Sequence, residues 1–361
     1  MVSPPSRNAV DRFLPAFVGG KVPPSSSSCN CGDDRLGCDA GIRASGGGQA
    51  CLWFSQGCTI GCPTCTGIGS HTSARLCNST TEPTLPKYAW TMNLKAVEGS
   101  PDDSYRFNPW RAPGSAPVAD ACGMAGGTVP AHKGPGVAVF AATEFAKQGD
   151  LGSKTLGPAP SGALWRLGST VEVSWGIRFN HGGGYQYRLC PADEDLTEAC
   201  FMRTPLEFVR DKQVLQWNNG TRWPIKGTWV DQGTLPAGST WAMNPIPRID
   251  FDSSSSGQPK GATGCSLVHG EPTGPACRQF DPPCPQDNGW YAQPPRKASV
   301  DVEGECSGDW TGGVIVDQLI VPAHLTPGPY VLGWRWDCEE SDQVWSGCAD
   351  VYIAPNSSVL I

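Results

Sequence analysis

The sequence predicts an all-β fold, an antiparallel sandwich with long crosslinked loops, and three observations predict it. Gly (45) and Pro (34) make up about a fifth of the 361 residues, against an average usage of roughly 12%. Several segments alternate apolar and polar residues with a period of two, the pattern of a strand with one face on a core. Seventeen cysteines are spread along the chain, more than a reducing compartment keeps unless they bind metal.

Residues 1–28 open on Pro4-Pro5, end in a run of four serines (25–28) and read as irregular. Eight cysteines follow between Cys29 and Cys77, in a segment of little aliphatic content. Crosslinks must stabilise what a core cannot. Cys62-Pro63-Thr64-Cys65 is a C-x-x-C, for which zinc is one reading; an oxidising context favours disulfides. From about Leu156 strands dominate. Val171, Val173, Trp175, Ile177 and Phe179 alternate with Glu172, Ser174, Gly176 and Arg178, and Tyr185, Tyr187 and Leu189 repeat the pattern after the glycine turn 182–184. A short helix is expected over Leu196–Arg203, after the acidic run Asp193-Glu194-Asp195. Residues 211–300 read as a loop-rich insertion holding Cys265, Cys277 and Cys284. Val314–Val321, Tyr330–Trp336 and Ala349–Ile353 complete the strands, parted by Pro322, Pro327 and Pro329. Strands at this spacing with Pro/Gly turns imply an immunoglobulin/fibronectin-III-like sandwich.

Composition excludes several function classes. A net charge of −7, with 17% charged residues and no basic run, suits neither nucleic acid nor an anionic membrane surface. No apolar stretch approaches the ~20 residues of a membrane span. The cysteines and three sequons, at Asn78, Asn219 and Asn356, point to a secreted glycoprotein. Met1–Asn8 has neither the basic nor the apolar region of a signal peptide, so the mature N-terminus is expected upstream of Met1. An odd cysteine count leaves one thiol free or paired outside the chain.

Of five histidines, none falls in a HExxH or a Ser/His/Asp arrangement, and no glycine-rich turn has phosphate-loop spacing. His181 stands apart because it lies between one strand and the glycine turn before the next, where a rigid sandwich presents functional groups. Position alone favours a turn histidine bonded to backbone.

The local sequence around it, Asn180-His181-Gly182-Gly183-Gly184-Tyr185-Gln186-Tyr187-Arg188-Leu189-Cys190, resembles the segment bearing the second copper histidine in the chitin-binding type-4 group of lytic polysaccharide monooxygenases. Phe107-Asn108-Pro109-Trp110-Arg111-Ala112-Pro113-Gly114 and Cys122-Gly123-Met124-Ala125-Gly126-Gly127 resemble upstream blocks of that group, and Met1–Asn8 the stretch just after its mature N-terminus. Tyr330–Trp336 and Cys348-Ala349-Asp350-Val351 resemble its closing strands.

The resemblance implies one copper ion held by the N-terminal amine and imidazole of a first-residue histidine and by a second imidazole, that of His181. Nitrogen donors of this kind suit tetragonal Cu(II). It implies oxidative cleavage of glycosidic bonds in a β-linked polysaccharide of the chitin or cellulose class, with an external electron donor and a monomeric, secreted enzyme. Trp345, three residues before the cysteine of the closing strand, falls where the group usually has Phe or Tyr near the copper axis; the alternative for Trp345 is ordinary core. The first residue departs from the pattern, since Met1 offers no imidazole and the other histidines cannot donate a terminal amine. An upstream histidine would restore the brace. Without one, the chain is expected to be a non-catalytic extracellular polysaccharide-binding protein on the same sandwich.

Cys190 with Cys200, and Cys338 with Cys348, are spaced for local disulfides, though spacing leaves the connectivity open. Trp110, Trp290 and Tyr291 are candidates for stacking on sugar rings, with core burial as the alternative. The expected organisation is a single domain over 1–355, carrying a Cys-rich insertion at 29–77 and the loop-rich insertion at 211–300, and a tail at 356–361.

Overall fold

In the computed structural model, residues 1, 3–8, 53–55, 113–127, 140, 142, 146–176, 183–217, 222–225, 227–245, 266–268, 271–273, 313–338 and 343–356 are described. Two short strands open the described elements, β1 (Trp53–Phe54) and β2 (Met124–Ala125), and pair with each other. Helix α1 (Gly152–Thr155) is followed by β3 (Ala163–Arg166), β4 (Thr170–Trp175) and β5 (Gly184–Pro191). Helix α2 (Glu198–Met202) precedes β6 (Glu207–Phe208), β7 (Val214–Trp217), β8 (Arg222–Pro224), β9 (Trp229–Val230) and β10 (Trp241–Met243). After the hairpin of β11 (Ser266–Val268) and β12 (Glu271–Thr273) come the long strands β13 (Gly313–Ile320), β14 (Gly328–Asp337) and β15 (Val344–Ala354).

These strands form an all-β sandwich. One sheet has the order β3-β15-β14-β5-β10-β9; the other runs β4-β13-β7-β8, with β6 also paired to β13. Pairing is antiparallel except between β15 and β3. The period-two segments do what their pattern requires. Val173 and Trp175 of β4 and Ile315 and Leu319 of β13 face Tyr185, Tyr187 and Leu189 of β5 and Leu332, Trp334 and Trp336 of β14 in one buried cluster. Burying an aromatic or aliphatic side chain of this size contributes about 1.5–3 kcal/mol, so this cluster is the main source of stability.

Three sequence expectations need correction. First, Cys348 is joined to Cys122 and not to Cys338. The register explains it: Cys348 lies opposite Gly333, while the Cys338 amide bonds the Gln343 carbonyl at the far end of the same ladder. Five residues of strand separate the two by about 16 Å, beyond the ~7 Å Cα limit of a disulfide. Cys190 is joined to Cys200, because α2 folds back over the end of β5. Second, residues 214–243 are not loop insertion alone; β7 and β8 extend one sheet and β9 and β10 the other. Third, the helix near 196–203 is capped by Thr197, whose hydroxyl accepts from the Cys200 amide, and not by the acidic run.

The outer face of β5 is buried as well, although its residues alternate. Gln186 donates to Ser239 Oγ (2.9 Å) and the Thr240 carbonyl (3.0 Å). Arg188 and Arg335 both reach Glu198 of α2, and Arg335 is bracketed by Asp337 (2.6 and 3.0 Å) and the Ala116 carbonyl (2.7 Å). The paired arginines hold the Glu198 carboxyl down at about 2 against its burial. A loop layer at 113–121 and α2 thus cover the sheet through a buried charge network.

Candidate functional site

The site is built at one end of the sandwich, where β4 stops and β5 starts. β4 ends at Trp175, and the chain is described to Gly176 and again from Gly183, so the termini of the stretch carrying His181 both lie at this end. Gly183 adopts φ 73°, and a Cβ there would sit 2.0 Å from the Asp337 carbonyl oxygen. Only glycine lets the returning chain pass this close to β14. Gly184 is paired with Asp337, which is paired in turn with Val344, so β5, β14 and β15 begin or end side by side. Asp337 ties in the neighbouring loop by accepting from the Gly114 amide at 2.8 Å.

One residue inward, Tyr185, Trp336 and Trp345 are cross-strand neighbours and share the inner face. Trp175 closes over them from the other sheet, with ring centroids 4.7 Å from Tyr185 and 5.4 Å from Trp336. Trp345 is half-buried at the rim. Its ring stacks on Phe54 (4.1 Å, 27°) and lies nearly parallel to Trp336 (6.3 Å, 28°), and its Nε1 donates to Gln343 Oε1 at 3.2 Å. The indole therefore belongs to an aromatic wall that continues into the core.

The N-terminal segment reaches the same end. Ser3 and Ser174 exchange backbone hydrogen bonds (3.2 and 2.8 Å) as an antiparallel bridge, which carries Met1 past Trp175. Met1 packs on the main core cluster, and burial pulls its α-amino group down to about 6. Arg7 anchors this segment to the other sheet. Its amide bonds the Cys348 carbonyl, and its guanidinium grips both Asp350 oxygens (2.9 and 2.5 Å) and the Leu156 carbonyl (3.2 Å). The first residues are thereby strapped across both sheets, and charge-assisted bidentate pairing is the strong form of such a strap.

Of the sequence-predicted residues, Trp345 is at this end and His181 lies between two segments that meet there. His181, Trp110, Trp290 and Tyr291 themselves fall outside the described residues. His324 is the one histidine among the described residues, and it is exposed on the turn between β13 and β14, at the opposite end of the sandwich. Among the described residues no three His, Cys, Asp or Glu side chains cluster to hold a metal. Among the described residues this end holds no imidazole; they form an aromatic wall and a fixed chain entry around it. Sequence reading missed Phe54 and Asp337. The run Leu52-Trp53-Phe54, apolar within a segment poor in apolar residues, was the signal for the first.

No protein-family model matches the chain. Two solved structures are similar to it. One is a lytic polysaccharide monooxygenase AA15 from Thermobia domestica in the Cu(I) state, 15% identical over 53% of this chain and 62% of that one, with a TM-score of 0.24. The other is the cellulose-active lytic polysaccharide monooxygenase CelS2 in complex with copper, 11% identical over 56% of this chain and 57% of that one, with a TM-score of 0.23. The chain thus spans about three-fifths of the length of each.

Proposed function

We propose that this protein is a secreted, copper-dependent enzyme that cleaves a β-linked polysaccharide oxidatively, with His181 as one copper ligand. The observation that carries the reading is convergence. The two ends of the His181 stretch, the chain entry at Met1 and Trp345 meet at one end of the sandwich.

In this reading the other imidazole and a terminal amine come from a histidine upstream of Met1, with His181 as the second brace histidine. The direction of the Ser3 bridge supports this, since it aims preceding residues beyond Trp175 toward the His181 stretch. Met1 itself would be a poor substitute, because a thioether favours Cu(I). Copper held there would supply one-electron chemistry with oxygen or peroxide that oxidises a sugar C–H bond. The chain's own residues have other tasks. The Arg7–Asp350 strap fixes the entry of the N-terminal segment, and the indoles of Trp175, Trp336 and Trp345 keep water from the inner side of the site. Trp110, Trp290 and Tyr291 are proposed to stack on sugar rings around it. An external donor supplies electrons. Residues 1–355 act as one domain, and exposed Asn356, with Asn78 and Asn219, is proposed to carry glycan.

The naturally secreted protein should release oxidised oligosaccharides from insoluble chitin or cellulose in the presence of ascorbate, read by mass spectrometry. His181→Ala should release none while keeping its fold. Equal product from both would refute the ligand assignment. No product from either, with retained binding to the insoluble polymer, would favour a non-catalytic binding protein.

A further inference from the structure

We infer that residues 53–55, within the Cys-rich segment, form one wall of the candidate site and that Phe54 is a positioning residue that fixes the ring of Trp345. The claim that this wall serves a copper site rests on the proposed function; the contact itself does not.

Three features hold Phe54 in place. Its strand is paired, Trp53 opposite Ala125 and Phe54 opposite Met124, which ties the segment to the loop layer of the sandwich. Trp53 is anchored in its own small cluster with Ala125, Phe140, Ala146 and Leu156, meeting Phe140 edge-on at 5.4 Å. Gly127 stands directly behind the Phe54 ring. A Cβ at Gly127, whose φ is 69°, would fall 2.1 Å from Phe54 Cε2. The ring therefore has no room to retreat from Trp345.

The next residue locks the register. Ser55 is fully buried, and its hydroxyl donates to the Asp120 carbonyl. Ser346, the neighbour of Trp345, places its Oγ 2.9 Å from Ser55 Oγ and 3.0 Å from that same carbonyl. The Asp120 amide in turn donates to Ser55 Oγ at 3.1 Å. This buried knot joins the backbone after Phe54 to the backbone after Trp345, so the two rings are registered by bonds as well as by stacking.

The consequence is geometric. Trp345 stacks on Phe54, lies nearly parallel to Trp336 and has its Nε1 held by Gln343. A half-buried indole at a rim would otherwise be free to change rotamer, since exposed side chains do so in picoseconds to nanoseconds. Phe54 is itself only 2% exposed, so it acts through Trp345 and not on a substrate.

The test is hydroxyl-radical footprinting of the whole protein, with the modification rate of Trp345 read by mass spectrometry and buried Trp336 as internal reference. Phe54→Ala should raise the Trp345 rate several-fold and leave Trp336 unchanged. Phe54→Leu, which keeps apolar bulk without the flat face, should give a smaller rise and guards against a poorly folding Ala variant. A Trp345 rate equal to wild type in folded Phe54→Leu and Phe54→Ala, or Trp336 rising in step with Trp345, would overturn the positioning role. In copper-loaded protein with its mature N-terminus, Phe54→Leu should alter the Cu(II) EPR hyperfine splitting. An unchanged spectrum alongside a raised Trp345 rate would overturn the assignment of this wall to the site. Failure of both proteins to bind copper would overturn the proposed function, with the footprint still deciding the Phe54 claim.

Discussion

Asp317 is a carboxylate facing the inside of a sandwich. It accepts from Tyr185 Oη (2.8 Å) and Gln213 Nε2 (3.0 Å), and Gln213 also donates to Tyr185 Oη at 2.7 Å. These bonds favour the ion, yet burial outweighs them and pushes the carboxyl up to about 7. A raised pKa means that the folded state binds the proton more tightly than the unfolded state, whose carboxyl titrates near 3.9. Stability must then fall as pH rises from about 4 to 7, and stay lower above. The loss is on the order of 3–4 kcal/mol at most. Urea unfolding of wild type and Asp317→Asn at pH 4.5 and pH 8 checks this. Other titrating groups act alike in both proteins, so the difference between them isolates Asp317. Wild type should lose more stability across the range than the Asn variant; equal losses would contradict the account. The position of Asp317 was readable in the sequence, since it falls in phase with Ile315 and Leu319 on the inner face. Its partners were not, because Gln213 lies 104 residues away and no local pattern links the two.

At the scale of elements, what was legible depended on strand length and on a clear period. β4, β5, β13 and β14 have four or more alternating positions and were placed from the sequence with modest errors at their ends. β6 to β10 are two to four residues long, too short for periodicity to separate them from loop. The disulfides divide in the same manner. Cys190–Cys200 closes a separation of 10 residues and could be guessed from spacing, whereas Cys122–Cys348 spans 226 and could not. Their energetic weights should differ accordingly. Loop-closure entropy gives about 3 kcal/mol for the short loop and about 5 kcal/mol for the long one. Replacing Cys122 and Cys348 by Ala should therefore lower the urea midpoint more than replacing Cys190 and Cys200. The reverse order would show that the long bridge does little to restrict the unfolded chain. That bridge also joins the loop layer to β15, two residues before the Asp350 that Arg7 grips.

For the whole molecule, the sandwich brings together segments far apart in the chain: the N-terminal strap, the start of β5, the end of β14, the start of β15 and β1 of the Cys-rich segment. The sequence offered a set of ordered blocks resembling one enzyme group, and the proposed function of the His181 end rests on them. The Phe54 contact was not, because it depends on a tertiary approach between residues 291 apart in sequence, as the Ser55–Ser346 bond records. A net charge of −7 without a basic run in the sequence disfavours a polyanion as partner. Among the described residues no helix is long and apolar enough to cross a membrane.

The most direct measurement is a copper titration of the naturally secreted protein beside its His181→Ala variant, with the N-terminal residue of each sample sequenced. The account predicts a mature chain beginning with histidine upstream of Met1 and one tightly bound copper per chain. It predicts a loss of at least about 100-fold in affinity for the variant, since removing a group that merely supports a ligand already costs 10–100-fold. A histidine-initiated chain whose copper affinity is the same in both proteins would contradict it.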